Sequence, residues 1–240
     1  FTSPINIKSE QYLETETTGF WTVNLDKNGR PTTSTPCYED LYKKWCQTHE
    51  HVTLADTQLT YTYNGTFWEL KENAEIRAFV QGMMNPKPKD SHRKEFYTQI
   101  KCENLKKGDW FRSSTEGLIN LENGVFNIIN GEMLPHSKDF GFRYELPYGY
   151  DKNAKCPRFL QFLDEITLGR DDVQQVLIEF MGYALANGPS LAEKALILYG
   201  TGANGKSTFL DVLKGLAGSD NYASLSLTAL NKDTKRYMVD

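Results

Sequence analysis

The 240-residue sequence predicts an α/β protein: an α+β part with helices and a small β-meander, then a strand, a glycine loop and a helix near residue 200. Three observations predict this. Segments of helical period recur along the chain, with apolar residues three and four apart. Between them lie short β-prone runs punctuated by Asn-Gly turns at Asn64-Gly65, Asn123-Gly124 and Asn130-Gly131. Finally, Leu196-Ile-Leu-Tyr199 reads as a buried strand that runs through a glycine-rich loop into an apolar-striped segment from Phe209 to Leu216.

Composition bounds the rest. Apolar content of 39% and aromatic content of 12% are globular values. A net charge of −4 and a pI near 5.7 argue against a strong, self-sufficient DNA-binding surface. The four cysteines (Cys37, Cys46, Cys102, Cys156) form no C-x-x-C pair, which suits a reducing compartment. No run of about eighteen apolar residues and no signal-peptide pattern occurs. A soluble, cytoplasmic protein with no membrane partner is therefore expected.

In chain order, residues 1 to about 35 are rich in Thr, Ser and Glu and read as a linker or the tail of a preceding domain. They hold one strand-like run, Phe20–Leu25, ended by the turn Asp26-Lys-Asn-Gly29. A helix is predicted from Tyr38 to His49, with Tyr38, Leu41, Tyr42 and Trp45 on one face. Gln58–Tyr63 and Thr66–Leu70 flank Asn64-Gly65 as a hairpin. Asn73 is the expected N-cap of a helix burying Ile76, Phe79, Val80 and Met83, stopped by Asn85-Pro-Lys-Pro-Lys89. A third helix runs from Ser91 towards Cys102 with Phe96 and Ile100 inward. Leu118–Leu121, Val125–Ile129 and Glu132–Leu134 form the meander. Pro157 suits the first turn of a helix with Phe159, Leu160, Leu163 and Ile166 inward. Asp171 or Asp172 is expected to cap the next, in which Val173, Val176, Leu177, Phe180, Met181, Ala184 and Leu185 form a stripe, and Asn187-Gly188-Pro189 is expected to stop it.

Two further clusters invite chemistry. Cys46, His49 and His51 make a C-x-x-H-x-H triplet, but no second cluster completes a ligand set, so a metal is not expected there. From Lys87 to Arg112 the chain is basic (Lys87, Lys89, Arg93, Lys94, Lys101, Lys106, Lys107, Arg112), with Tyr97, Trp110 and Phe111 interspersed. A nucleic-acid contact is conceivable, yet a solvated helix face with core aromatics explains the run more simply.

The loop carries the most specific chemistry. Gly200-Thr-Gly-Ala-Asn-Gly-Lys-Ser207 fits G-x-x-x-x-G-K-S, the phosphate loop of nucleotide-binding proteins. Gly200, Gly202 and Gly205 leave room for a phosphate, and the backbone N–H groups of Thr201, Ala203 and Asn204 can turn into one concavity. Lys206 is expected to reach the β- and γ-phosphates of ATP as the catalytic cation. Ser207 is the expected Mg²⁺ ligand, and Thr208 can bond the α-phosphate.

Five pieces in order then carry a resemblance: Asn123–His136, Leu146–Asp151, Cys156–Leu163, Met181-Gly-Tyr183 and Gly200–Leu210. Together they resemble the phage and plasmid primase-helicase family, which includes the poxvirus primase-helicases. Its ATPase is of superfamily 3, a branch of the AAA+ class. The resemblance covers roughly residues 70 to 240. It implies a replication enzyme: a ring of identical subunits, usually a hexamer, that couples ATP hydrolysis to movement on single-stranded DNA and to duplex unwinding. A primase or polymerase domain commonly precedes the motor.

Three regions follow. Residues 1-70 would be a linker or tail plus helix and hairpin, 71-190 a collar that assembles the ring, and 191-240 the start of the P-loop AAA+ ATPase domain. The acidic second motif, the sensor and the arginine finger are expected beyond Asp240, so this stretch by itself is expected to be a fragment that does not hydrolyse ATP appreciably. Other readings are an assembly or DNA-loading module without ATPase activity, or another P-loop machine such as a DNA-packaging motor or a small-molecule kinase, for which no acceptor pocket or lid is visible.

Overall fold

The computed structural model describes residues 15–112, 115–186 and 194–226. It contains mixed helices and strands, as the sequence predicts, in two compact units. One comprises residues up to Tyr63 together with Leu70–Gly108, the other Asn64–Glu69 together with residues from Asp109 onward.

The first unit opens with β1 (Thr15–Thr18), β2 (Trp21–Leu25) and β3 (Pro31–Pro36), an antiparallel sheet in that order. The expected single strand is thus the centre of a meander. Its outer strands were illegible because the six residues of β3, Pro-Thr-Thr-Ser-Thr-Pro, have no apolar face and five of them are exposed. The sheet is tied down at one point. Gly19, at φ 55°, lies against the Asn85 carbonyl, and the indole N–H of buried Trp21 donates to the Pro86 carbonyl at 2.9 Å.

Next in chain order come α1 (Tyr38–Thr48), β4 (His51–Leu54), β5 (Thr60–Tyr63), β6 (Trp68–Leu70, of which Trp68 and Glu69 belong to the second unit), α2 (Asn73–Met83), α3 (Asp90–Cys102) and β7 (Leu105–Lys106). β4 pairs antiparallel with β5 and parallel with β7. The Asn64 side chain accepts from the Thr66 and Phe67 N–H groups, and the Lys71 N–H donates to Thr60, which closes the predicted hairpin. The cap of α2 falls one residue earlier than expected. Glu72 is the N-cap and Glu75 reaches back to its N–H at 2.9 Å, so the carboxylate rather than the Asn73 amide satisfies the helix start. Met84, not Met83, is the buried methionine, because the chain turns at the end of α2 and carries Met84 inward.

The core of this unit joins Trp21, Leu41, Trp45, Ile76, Val80, Met84, Phe96 and Ile100, with Tyr38, Tyr42 and Phe79 packed against it. Phe96 is fully buried within 6.4 Å of the Tyr38 and Phe79 rings. His51 is also buried, 3.5 Å from the Tyr42 hydroxyl.

The second unit holds the meander β8 (Leu118–Leu121), β9 (Gly124–Asn127) and β10 (Met133–Leu134), all antiparallel. Its core is Leu118, Val125 and Phe142. Buried Asn120 donates to the Thr66 and Tyr144 carbonyls, stitching β8 to two loops. Three helices follow: α4 (Pro157–Thr167), α5 (Asp171–Leu185) and α6 (Lys206–Ala217). Pro157 opens α4 as expected. The N-cap of α5 is Arg170 rather than either aspartate. Asp171 and Asp172 lie in the first turn, where they favour the helix dipole, and Asp172 also pairs with Arg170 at 2.7 Å. The Asn187-Gly188-Pro189 stop lies outside the described residues.

Two outcomes follow for the first unit. Phe96→Ala removes a ring from a closed core and should lower its stability by about 3–5 kcal/mol, read by chemical denaturation. Desolvation holds the His51 imidazole below its ordinary value of 6.5, so as pH falls the unfolded chain takes up a proton first. Stability is full above about 6.5 and is lost as pH drops through the depressed folded value. The urea midpoint should therefore fall from pH 7.5 to pH 5.5, and less so in His51→Gln.

Candidate nucleotide site

The loop from Gly200 to Gly205 leads straight into α6, whose first three residues are Lys206, Ser207 and Thr208. The helix begins there because Gly205 is its N-cap at φ 81°, ψ −3°, a left-handed conformation that suits glycine, and no side chain caps the N-terminus. The first N–H groups of α6 are thus left for a partner from outside the helix, with the positive end of the dipole behind them. Gly205 is needed for space as well. A Cβ there would meet Ile166 at 2.5 Å and the Phe162 ring at 3.2 Å, so the loop lies directly on α4.

Below the junction, Phe209 is buried with Leu163, Leu177 and Met181, and Val212, Leu213 and Leu216 pack around them. This core fixes the start of α6 against α4 and α5. Leu160 and Val176, expected in the helix stripes, are half exposed at 50% and 53%, as is Leu210 of α6 at 44%. Burial is set by the neighbours a helix has, not by its own pattern.

Lys206 is turned into the loop that precedes it. Its ammonium donates to the Gly200 carbonyl at 3.1 Å, the Thr201 carbonyl at 2.8 Å and the Asn204 side-chain oxygen at 2.5 Å. Three neutral oxygens thus hold the cation where the sequence expects phosphate oxygens. Ala203 takes φ 56°, an uncommon value for a residue with a Cβ, and helps the chain coil around that ammonium. Gly202 has open space where a Cβ would be. Ser207 and Thr208 lie exposed on the first turn. The glycines, lysine and hydroxyls named from sequence are brought together at one helix end.

The segment ahead of the loop differs from expectation. Ala195–Tyr199 is not a strand. Leu196 and Leu198 pack against the helix core while Ile197 and Tyr199 are 85% and 97% exposed, so the two-residue alternation of a strand is present. Among the described residues no neighbouring strand pairs with it, and a strand is completed only by its ladder. The expectation of burial on both faces is overturned for the same reason.

Of the other candidate residues, two histidines and two aromatic side chains are engaged in ring packing. His49 stacks on Trp45 at 3.8 Å and 7°, and His51 lies edge-on to Tyr42. Trp110 and Phe111 pack on Trp68, whose indole N–H donates to Lys138 at 2.9 Å. Among the described residues no helix is long and apolar enough to cross a membrane.

Two comparisons with known proteins bear on the chain. An uncharacterized mitochondrial protein, ymf21, of Marchantia polymorpha is 27% identical over 127 residues, which cover 48% of this chain and 70% of that protein. Residues 39–168 match the family described as D5 N terminal like. That match takes in α1 through α4, more than half of the 240 residues. The chain therefore belongs to the D5 N-terminal like family, a domain found in phage and viral primase-helicase proteins.

Proposed function

We propose that this chain belongs to an ATP-dependent DNA helicase, in which Gly200–Thr208 binds MgATP and a ring of identical subunits moves along single-stranded DNA. One observation carries the reading: Lys206 is turned into a glycine loop at the uncapped start of a helix, in a primase-helicase-type chain. The family match ends at residue 168 and the loop begins at Gly200, so the two supports are independent.

The residues present fit a nucleotide. The phosphates would lie against the N–H groups of Thr201, Gly202, Ala203, Asn204 and Gly205 and the first turn of α6. Lys206 would exchange its three loop oxygens for phosphate oxygens, a charge-assisted contact stronger than those it leaves. The Ser207 hydroxyl would join the Mg²⁺ shell and Thr208 would reach the α-phosphate. Bound MgATP supplies a phosphoryl group whose transfer depends on positioning and charge stabilisation. The chain's own part is to orient the phosphates and to hold one cation against them. Neighbouring subunits, and a primase or polymerase domain on the same chain, complete this reading of the assembly.

Two substitutions test it. Lys206→Ala should weaken MgATP binding by roughly tenfold to a hundredfold, the range for a lost hydrogen bond to a charged group. The circular dichroism spectrum should not change, because the ammonium is not a core element. Unchanged affinity in a titration with fluorescent ATP removes Lys206 from the site. Gly205→Val should abolish binding and also lower the melting temperature, since the added atoms enter the space of Ile166 and Phe162.

A further inference from the structure

The outer face of α3 bears a cationic stripe that no role has been given to. Counting from Asp90, Arg93 and Lys94 stand one turn on, Tyr97 two turns and Lys101 three, a span of about 16 Å at 1.5 Å per residue. About a quarter-turn round the same helix, Phe96 and Ile100 are fully buried, and Arg93 and Tyr97 lie at the border between that core side and the stripe.

The stripe is ordered by one carboxylate. Asp90 receives the Arg77 guanidinium from α2, Arg93 at 3.2 Å and Lys94 at 2.9 Å, three cations on a single anion. Arg93 is fixed further by the Gln81 side chain. One turn beyond, the Lys101 ammonium lies 4.6 Å from the centre of the Tyr97 ring, itself only partly buried. The connection into α3 adds Lys87 and Lys89, both exposed on either side of buried Pro88. That connection is held by the bond from Trp21 to Pro86. In all, six cations (Arg77, Lys87, Lys89, Arg93, Lys94, Lys101) stand with two carboxylates, and one of these, Glu95, is engaged by the Tyr38 hydroxyl. In a chain of net charge −4 this is a local reversal of sign.

We propose that the Asp90-centred stripe of α3 is a binding surface for the phosphodiester backbone of a single strand. Asp90 gathers Arg77, Arg93 and Lys94, and Lys87, Lys89 and Lys101 extend the row of cations along which successive phosphates would lie. The Lys101 ammonium over the Tyr97 ring adds a cation at the far end of the stripe. Lysine suits this work because its ammonium meets a passing phosphate as a point charge without requiring one orientation. A polyanion with regularly spaced charge matches a row of cations along one helix better than a single small anion does. The choice of nucleic acid over an acidic polypeptide rests on the primase-helicase reading. The surface itself does not depend on the loop at Gly200.

Fluorescence anisotropy of a labelled twenty-nucleotide oligothymidylate with the whole 240-residue chain, without nucleotide, tests this. Replacing Lys87, Lys89, Lys94 and Lys101 together by Gln should weaken binding at least tenfold. It should also lower the slope of log affinity against log salt by about 0.7 for each lysine that contacts a phosphate. Asp90→Asn should act in the opposite sense and tighten binding at low salt, a result that mere loss of structure cannot produce. Equal affinity and slope in the four-lysine variant overturn the proposal. So does full displacement of the oligonucleotide by polyglutamate of matched charge, which would identify an acidic polypeptide as the partner. The Lys206→Ala variant separates the two readings: oligonucleotide binding that persists there, with MgATP binding lost, supports the stripe and the loop as distinct sites.

Discussion

The close approach of Gly205 to Phe162 and Ile166 is the constraint around which the C-terminal helices are arranged. It sets where α6 begins, and so where the first unpaired N–H groups point and where Lys206 leaves the backbone. Phe209, one turn further, completes the anchor by filling the space between Leu163, Leu177 and Met181. The glycine loop is therefore positioned by an apolar helix packing that has no chemistry of its own. A polar site is held in place by contacts that only glycine allows.

Much of this was readable in the residues, and the exceptions share a cause. The helices from Tyr38, Asn73, Asp90, Pro157, Asp171 and Lys206 are visible as stripes because each buries one face in its own unit. The G-x-x-x-x-G-K-S spacing, read with the apolar runs on either side of it, locates the loop. What could not be read depended on partners distant in sequence. β3 has no apolar residue to betray it, and it exists because β2 pairs with it. Ala195–Tyr199 has the alternation of a strand but no ladder among the described residues. Asn120, a polar residue in a β-run, gives no local sign that its amide will bridge Thr66 and Tyr144 across long separations. The caps of α2 and α5 are Glu72 and Arg170, each one residue ahead of the first residue the sequence offered for it.

The family match and the loop inform each other without overlapping. Residues 39–168 identify a domain of primase-helicase proteins, while the loop lies past its end. The basic run from Lys87 to Arg112, continuous in sequence, is divided between two compact units after Gly108. A charge run in one dimension therefore says little until the fold distributes it. Here the part on α3 gathers around Asp90, whose pKa falls to about 2, first through its bond to Lys94 and then through Arg93.

The three oxygens that hold the Lys206 ammonium also bear on the kinetics of encounter. A lysine in solution has to shed a tightly held hydration shell before it can touch an anion. Here carbonyl and amide oxygens already fill part of that shell at 2.5 to 3.1 Å. On the proposed reading, an arriving anion would trade places with them one at a time, and the cation would pass from one set of ligands to another without ever being bare.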